Sequence, residues 1–263
     1  MRIVTRVLFS FARVLGGASA LLHYVGASTL RLADMKEGIQ QSWQEFNRHE
    51  ADITAGLMPW EEDLVQRFVE PLASVLIVGC GSGRDLLTLA QRGHRVTGVD
   101  PASSALSTAR RVLRERHLSA DLIEGFFEDV QLSGHFDVVM FSYYSYSYIP
   151  ESARRVRVLC KAAAHLTPGG RILISYPGMP RPRLIMIRLA RVMGRLSGSD
   201  WHLEPGDFVV PERSGTQAFY SYAHSFQPAE LDKEAAAAGL RTVYSRAPPG
   251  DAVVVLVASH TSI

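Results

Sequence analysis

The sequence predicts an α/β protein built on a doubly wound, mostly parallel seven-stranded sheet. From Val75 onward, short runs of apolar residues alternate with longer helical segments. This rhythm is typical of parallel strands with helices on both faces of the sheet. Between Pro177 and Phe226 the rhythm breaks, which indicates an insertion after the fifth strand. The length of 263 residues suits one such domain with N-terminal helices and a cap.

Each predicted element has its own signal in the sequence. The first four strands are SVLIVG at 74–79, RVTGVD at 95–100, ADLIEG at 120–125 and FDVVMFS at 136–142. The last three are GGRILISYP at 169–177, RTVYSR at 241–246 and AVVVLVA at 252–258. Helical patterns separate them at 84–92, 103–116 and 150–166. A further helix begins at Pro228 and ends at Gly239, residue types common at those two positions.

The segments outside the sheet are predicted to form an extension and a cap. Residues 37–70 look helical, so we assign 1–70 to an N-terminal helical extension and 71–263 to the sheet domain. The cap insertion spans about 178–226 and contains a basic helix and a loop. The stretch 208–226 could pair as a hairpin.

Positive charge is concentrated in two segments. Residues 1–31 hold four arginines, residues 178–199 hold five, and neither segment contains an acidic residue. These nine belong to 28 basic residues, which leaves 19 against 26 acidic residues elsewhere. Such a separation of charge bears on partners rather than on fold.

Both arginine-rich segments have the pattern of an amphipathic helix. At about 100° per residue, Arg2, Arg6 and Arg13 share one side and apolar residues spread over the other. In the second segment the residues that share a face are Arg181, Arg188, Arg191 and Arg195. Basic amphipathic helices lie on anionic membranes, but helices packed on protein also have one apolar face. We expect residues 1–22 and 181–196 to contact an anionic membrane surface, the protein itself or a second subunit, and we do not expect nucleic acid.

The N-terminus resembles a secretory signal only in part. Early arginines and the small residues of ASA at 18–20 fit one, but Arg13 interrupts the apolar region. The run from Val14 to Leu30 has 17 residues and includes polar ones, so it is short for a membrane span. We therefore expect a cytoplasmic protein, peripheral on the membrane if it binds one.

A glycine-rich turn follows the first strand, and an aspartate ends the second. Gly79, Gly81 and Gly83 are spaced G-x-G-x-G, and glycines let a ligand approach the backbone without meeting a Cβ. In open α/β sheets, ligands bind at the carboxyl ends of the strands. Asp100 lies at such an end, where its carboxylate can accept both hydroxyls of a ribose. The spacing of dinucleotide sites and the Lys-Ser/Thr of phosphate loops are absent, so those ligands fit poorly.

The stretch VLIVGCGSGRDLLTLAQRGHRVTGVDPASSAL resembles the nucleoside-binding half of the class I S-adenosylmethionine-dependent methyltransferases. FDVVMFS and LTPGGRILIS resemble the fourth and fifth strands of that family, and the similarity covers about 74–176. It implies a class I methyltransferase-like fold, S-adenosyl-L-methionine as cofactor, the methionine portion over Gly79, Cys80 and Gly81, and the ribose on Asp100. The cofactor-binding residues implied are Gly79, Cys80, Gly81, Gly83, Asp100, Pro101, Phe126, Phe127, Phe141 and Ser142.

One position departs from the family pattern. After the third strand the family often has an Asp that binds the adenine amino group, whereas this chain has Phe126 in EGFFED. Phe126 and Phe127 could stack on adenine, or Phe126 could belong to the core. Glu128 is the nearest acid that could replace the missing acceptor.

Four tyrosines follow the fourth strand in SYYSYSYIP, where they suit an aromatic pocket wall with polar tips. An aromatic ring can also hold a cationic amine, which would favour N-methylation. A general base would help if the acceptor is a hydroxyl or an acidic carbon, and histidines of the cap are candidates. The candidate catalytic residues are Tyr144, Tyr146, His202 and His224. No metal-ligand spacing is present, and the two cysteines, Cys80 and Cys160, form no C-x-x-C pair.

The sequence thus predicts a methyltransferase acting on a small, lipophilic acceptor through O-, N- or C-methylation. Two alternatives stay open: the same cofactor fold with a reaction other than methyl transfer, and a non-catalytic, cofactor-binding assembly partner. The retained glycines and Asp100 favour a functional cofactor site over the second alternative.

Overall fold

We describe a computed structural model of the chain at residues 3–44, 53–178, 184–247 and 251–259. The predicted helical stretch at 37–70 therefore has a part, 45–52, that lies outside the described residues. So do Arg2, Arg181 and Arg183, three of the arginines in the two basic segments.

The predicted sheet is confirmed, with seven strands in the order β3-β2-β1-β4-β5-β9-β8. The strands are β1 Ser74–Val78, β2 Arg95–Asp100, β3 Asp121–Glu124, β4 Phe136–Phe141, β5 Leu166–Pro177, β8 Leu240–Arg246 and β9 Asp251–Ala258. The first five strands in this order, β3-β2-β1-β4-β5, pair in parallel. Strand β9 pairs antiparallel with both β5 and β8. Because β1 lies between β2 and β4, the strand order reverses beside the glycine turn, where open α/β sheets bind ligands.

Helices cover both faces of the sheet, as the alternation predicts. They are α3 Pro59–Phe68, α4 Arg84–Gln91, α5 Ser103–Glu115, α6 Ser152–Ala164 and α8 Pro228–Ala237. On one face, Leu76 and Ile174 of the sheet pack with Leu159 of α6 and Leu231 of α8. On the other face, alternate strand residues such as Ile77 pack against α3, α4 and α5. Side chains of consecutive strand residues point to opposite faces, so strands buried on both sides need apolar residues at every position.

The insertion contains a helix and a hairpin, as the sequence predicts. The helix is α7 Leu184–Ser197, and the hairpin consists of β6 Asp207–Ser214 paired antiparallel with β7 Gln217–His224. These elements pack against the N-terminal helices α1 Ile3–Ser28 and α2 Leu32–Gln44. Met35 and Ile39 of α2 share one apolar cluster with Trp201, Leu203 and Tyr222 of the insertion. The N-terminal helices and the insertion therefore form a single layer over the ends of the strands.

Candidate functional site

The glycine turn closes one side of a cavity at the carboxyl ends of the strands. All three of its glycines have positive φ, 75° at Gly79, 51° at Gly81 and 94° at Gly83, which other residues adopt at a cost. A Cβ on Gly79 would lie 2.6 Å from the Cβ of Ser145, whereas a Cβ on Gly81 would meet nothing within 4 Å. The backbone at Gly81, which lines the cavity, is therefore open to a ligand.

Asp100 organises this turn from the end of β2. Its carboxylate accepts hydrogen bonds from the backbone N–H of Gly81 and of Ala102, both at 2.8 Å. Burial raises the pKa of the Asp100 carboxyl, and the two N–H donors counteract that rise. Each carboxylate oxygen has a further lone pair, so Asp100 can still accept hydroxyl groups from a ligand in the cavity.

The structure brings most of the ten predicted cofactor-binding residues together. Eight of them line this one cavity: Gly79, Cys80, Gly81, Asp100, Pro101, Phe126, Phe127 and Ser142. Gly83 is absent from the lining and forms the start of α4, where a Cβ would lie 3.0 Å from the Cβ of Ala109. Phe141 is buried behind the wall with its ring edge against Phe127. The binding roles themselves stay predictions.

Phe126 lines the cavity, and α2 supplies a cation beside it. The Lys36 Nζ lies 4.6 Å from the centre of the Phe126 ring and 2.7 Å from Glu128 Oε1. The acid expected to replace the family's Asp is therefore paired with Lys36, which sequence reasoning missed. Lys36 is isolated in the sequence and lies 90 residues before Phe126, so no local signal predicts this contact.

The four tyrosines separate into two pairs. They belong to a short 3₁₀ segment, Ser142–Tyr148, in which Tyr143 and Tyr144 have φ of 40° and 68°. Tyr143 and Tyr148 line the cavity. Tyr144 stacks on Trp60 and hydrogen-bonds to Asp251.

Tyr146 is fully buried under the cap. Its hydroxyl donates to Glu234 at 2.8 Å, and its ring stacks on Phe226. Burial raises its pKa well above the ordinary value, and the Glu234 carboxylate adds to that rise. Neither Tyr144 nor Tyr146 is among the described residues that line the cavity, so the geometry gives both a packing role. Their catalytic roles stay predictions.

An aromatic wall faces the glycine turn, and part of it comes from α2. The ring of Trp43 lies edge-on to Tyr148 at 5.0 Å and to Tyr143 at 6.3 Å between ring centres. Ile39 and Ile53 extend this apolar surface. Sequence reasoning did not select these three N-terminal residues, because a helical apolar stripe has no feature that separates a pocket wall from a core.

The two cap histidines lie away from the cavity. His224 is fully buried, with Nδ1 2.5 Å from Asp207 Oδ1 and Nε2 3.2 Å from Glu230 Oε1. Burial lowers the pKa of this imidazole, but the two carboxylates outweigh burial and raise it overall. His202 is half exposed and contacts Glu151 at 2.7 Å. Neither ring lines the cavity within the described residues, so their roles as bases stay predictions.

A buried polar cluster adjoins the cavity and was not identified from the sequence. Arg84, directly after the third glycine, contacts Glu61 Oε1 at 2.5 Å and Asp85 Oδ1 at 2.7 Å. Asp85 also accepts a hydrogen bond from Ser142, the residue directly after β4. Burial raises the pKa of Glu61 to about 8, and the neighbouring Asp85 adds to that rise while Arg84 opposes it. The Arg84 guanidinium also lies 5.7 Å from the Tyr143 ring centre, so the cluster connects α3, α4 and the tyrosine segment.

Residues 75–170 match a family model described as a methyltransferase domain. The chain is 33% identical over 118 residues to a cypemycin N-terminal methyltransferase from a Streptomyces species. The matched segment covers 44% of this chain and 45% of that protein. It is 35% identical over 150 residues to a ubiquinone biosynthesis O-methyltransferase from a Methylobacterium species, with 54% and 57% covered. The chain thus spans about half the length of these curated relatives.

Solved methyltransferase structures share the fold. The CcbJ methyltransferase of Streptomyces caelestis aligns with a TM-score of 0.59 at 19% identity, covering 86% of this chain and 98% of that one. An amino pentose methyltransferase of Micromonospora echinaspora, solved with S-adenosylmethionine bound, aligns with a TM-score of 0.52 at 20% identity, with 82% and 94% covered.

Proposed function

We propose that this chain is a class I S-adenosylmethionine-dependent methyltransferase and that it transfers a methyl group from S-adenosylmethionine to a small, lipophilic acceptor. The observation that carries the proposal is the cavity, in which the glycine turn and Asp100 lie opposite an aromatic and aliphatic wall. Transfer of a methyl group requires S-adenosylmethionine and the acceptor to bind side by side. One cavity that combines the glycine turn and Asp100 with an apolar wall can hold both molecules.

The residues present fit the cofactor. Gly81 leaves space where any side chain would project, and the buried Asp100 carboxylate is held in place by two backbone donors. Gly79, Cys80 and Gly81 would hold the methionine portion, Asp100 the ribose, and the rings of Phe126 and Phe127 the adenine. The cofactor supplies an electrophilic methyl group when bound.

The chain's own residues would position the acceptor and exclude water. Trp43, Tyr143 and Tyr148 form a wall that an acceptor can pack against, and Ile53 and Ile149 extend it. Excluding water and aligning two reactants lowers the barrier without any covalent participation by the protein. The apolar character of this wall supports a lipophilic acceptor.

The Cys80 thiol takes no nucleophilic part in this proposal. It is buried, and burial raises its pKa well above the ordinary value, with Asp100 and Asp85 adding to the rise. The thiolate is the reactive form of cysteine, so this thiol stays inert. Because Cys80 and Cys160 are both free, we also propose action in the reducing cytoplasm.

Two measurements test the proposed function. Isothermal titration calorimetry with S-adenosylmethionine and with S-adenosylhomocysteine should show saturable binding at one site. Incubation with methyl-labelled cofactor and fractionated cell extract should place label in an organic-solvent-soluble product. Absence of cofactor binding would overturn the proposal altogether. Binding without any labelled product would favour the non-catalytic alternative, and label in a water-soluble product would contradict the lipophilic acceptor.

A further inference from the structure

Exposed apolar side chains of this protein are concentrated on two adjoining helices. Among the described residues, nine of the 13 large hydrophobic side chains that are exposed belong to α1 or α7. On α7 they are Leu184, Ile185, Leu189, Val192, Met193 and Leu196. Leu196 is 76% exposed and Leu22 of α1 is 70% exposed. A concentration of exposed apolar side chains on neighbouring helices indicates an interaction site.

The three faces of α7 have different surroundings. Ile187, Ala190 and Gly194 are buried against α1 and the cap. At about 100° per residue, the exposed apolar residues from Ile185 to Leu196 cover the side roughly opposite this buried face. Packing against the rest of the chain thus explains only one face of the helix, and a second apolar face remains uncovered.

Arginines form the edge between the buried and the exposed apolar faces. Arg188 and Arg195 project from α7 and are exposed, and the helix contains no acidic residue. In the described parts of the chain, neither forms an ion pair with a carboxylate. Arg191 instead donates to the backbone carbonyl of Leu203, which ties the helix to the cap loop. Two arginine charges therefore stay available beside the exposed apolar face.

Helix α1 lies beside α7 and, like α7, has exposed apolar residues and no acidic residue. A Cβ on Gly194 of α7 would lie 2.7 Å from the Ser28 carbonyl oxygen, so the two helices meet closely there. Phe11, Leu15 and Leu22 of α1 are exposed and fall within about 40° of one another around the helix. No acidic residue occurs among the first 31 residues.

We propose that the exposed apolar face of α7, together with α1, binds the surface of an anionic lipid bilayer. Leu189, Val192 and Met193 would enter the acyl boundary while Arg188 and Arg195 contact lipid headgroups. This is the arrangement of an interfacial amphipathic helix. Among the described residues, no helix has the length and apolar content of a membrane span.

Charge favours a bilayer over a second copy of the chain. A symmetric dimer through this face would bring the arginine edges of two copies toward each other without acidic partners on either α7. An anionic leaflet attracts those same charges. The proposal rests on these surface features alone and is independent of the proposed reaction.

Vesicle flotation with the full-length chain tests this binding. The vesicles contain phosphatidylcholine alone or with phosphatidylglycerol in equal parts, at low and at high salt. We expect the chain to float with the anionic vesicles and to be released by salt, with little flotation on neutral ones. Leu189→Glu with Met193→Glu, and separately Arg188→Glu with Arg195→Glu, should each lower the partition coefficient by about tenfold or more.

Two control variants make the same charge changes elsewhere on the surface, so they show whether the position of the substitution matters. Leu72→Glu with Val243→Glu puts two carboxylates on exposed apolar residues outside α1 and α7, and Arg114→Glu with Arg116→Glu makes the same charge change at the end of α5. Both should float like the parent, and thermal melts show whether each variant is folded. Flotation that is absent, independent of anionic lipid or equally impaired by the matched variants would overturn the proposal. A dimer in sedimentation equilibrium that Leu189→Glu with Met193→Glu dissociates, without any vesicle binding, would assign the face to a second copy.

Discussion

Replacing Asp100 by alanine removes the acceptor that holds the glycine turn and, as we propose, the cofactor ribose. In the structure this carboxylate accepts two backbone hydrogen bonds of 2.8 Å, from Gly81 and Ala102. Loss of a hydrogen bond between a ribose hydroxyl and a carboxylate costs about 1.5–3 kcal/mol. Since about 1.4 kcal/mol corresponds to a factor of ten, the Kd for S-adenosylmethionine should rise roughly 10- to 150-fold.

The two orphaned backbone donors add a second effect, because the turn itself loses its anchor. Asp100→Asn separates the two effects: it keeps the size and one acceptor oxygen of the side chain but places an amide NH₂ where a second acceptor stood. We expect its Kd to lie between those of the parent and Asp100→Ala.

Isothermal titration calorimetry gives the Kd of each variant, and thermal melts report whether the turn still folds. Asp121→Ala, at an exposed aspartate that begins β3, is the matched control and should bind like the parent. An Asp100→Ala protein that folds and binds S-adenosylmethionine with the parent's Kd would refute the reasoning.

Four other substitutions probe the cavity and its surroundings. Gly81→Val should abolish cofactor binding in calorimetry, because Gly81 lines the cavity at a φ of 51° that a β-branched residue does not adopt without strain; retained binding would contradict the site. The pKa of Glu61 is raised from 4.5 to about 8, so the folded chain holds a proton that the unfolded chain releases, and stability falls as pH rises through that range. Glu61→Gln should flatten this fall in thermal melts between pH 5 and pH 8, and an unchanged slope would place the proton elsewhere. Tyr148→Ala, at the cavity wall, should lower turnover of the acceptor more than cofactor affinity. Tyr146→Phe should instead lower the free energy of unfolding by about 1–2 kcal/mol, because it removes a buried hydrogen bond to Glu234, and unchanged denaturant midpoints would contradict that role.

The sheet and the glycine turn could be predicted because their causes are local. The runs around Ile77, Val139 and Leu173 are apolar at consecutive positions, as a strand covered on both faces requires. The turn after β1 needs positive φ at three positions, and the sequence provides glycine at each. Asp100 follows from the same logic, because parallel strands end at one edge of the sheet.

The orientation of the tyrosines could not be predicted. Alternation along a strand assigns side chains to faces, but Tyr143 and Tyr144 have positive φ, which ends the alternation after Phe141. As a result Tyr143 and Tyr148 reach the cavity while Tyr146 turns into the core. The sequence shows four equivalent tyrosines, and only packing against Trp60, Phe226 and the cap distinguishes them.

What the sequence by itself determined is therefore the class of fold, the edge of the sheet at which the cavity lies and the two basic amphipathic segments. Each is encoded by residues close together in the chain, through apolar periodicity, glycine spacing or charge placement. Only the tertiary structure decided that Lys36 and Trp43 border the cavity, that Glu61 pairs with Arg84, and that α1 lies beside α7 with apolar faces exposed on both. These contacts join residues far apart in sequence, and their energies come from burial and shape at interfaces that no local pattern specifies.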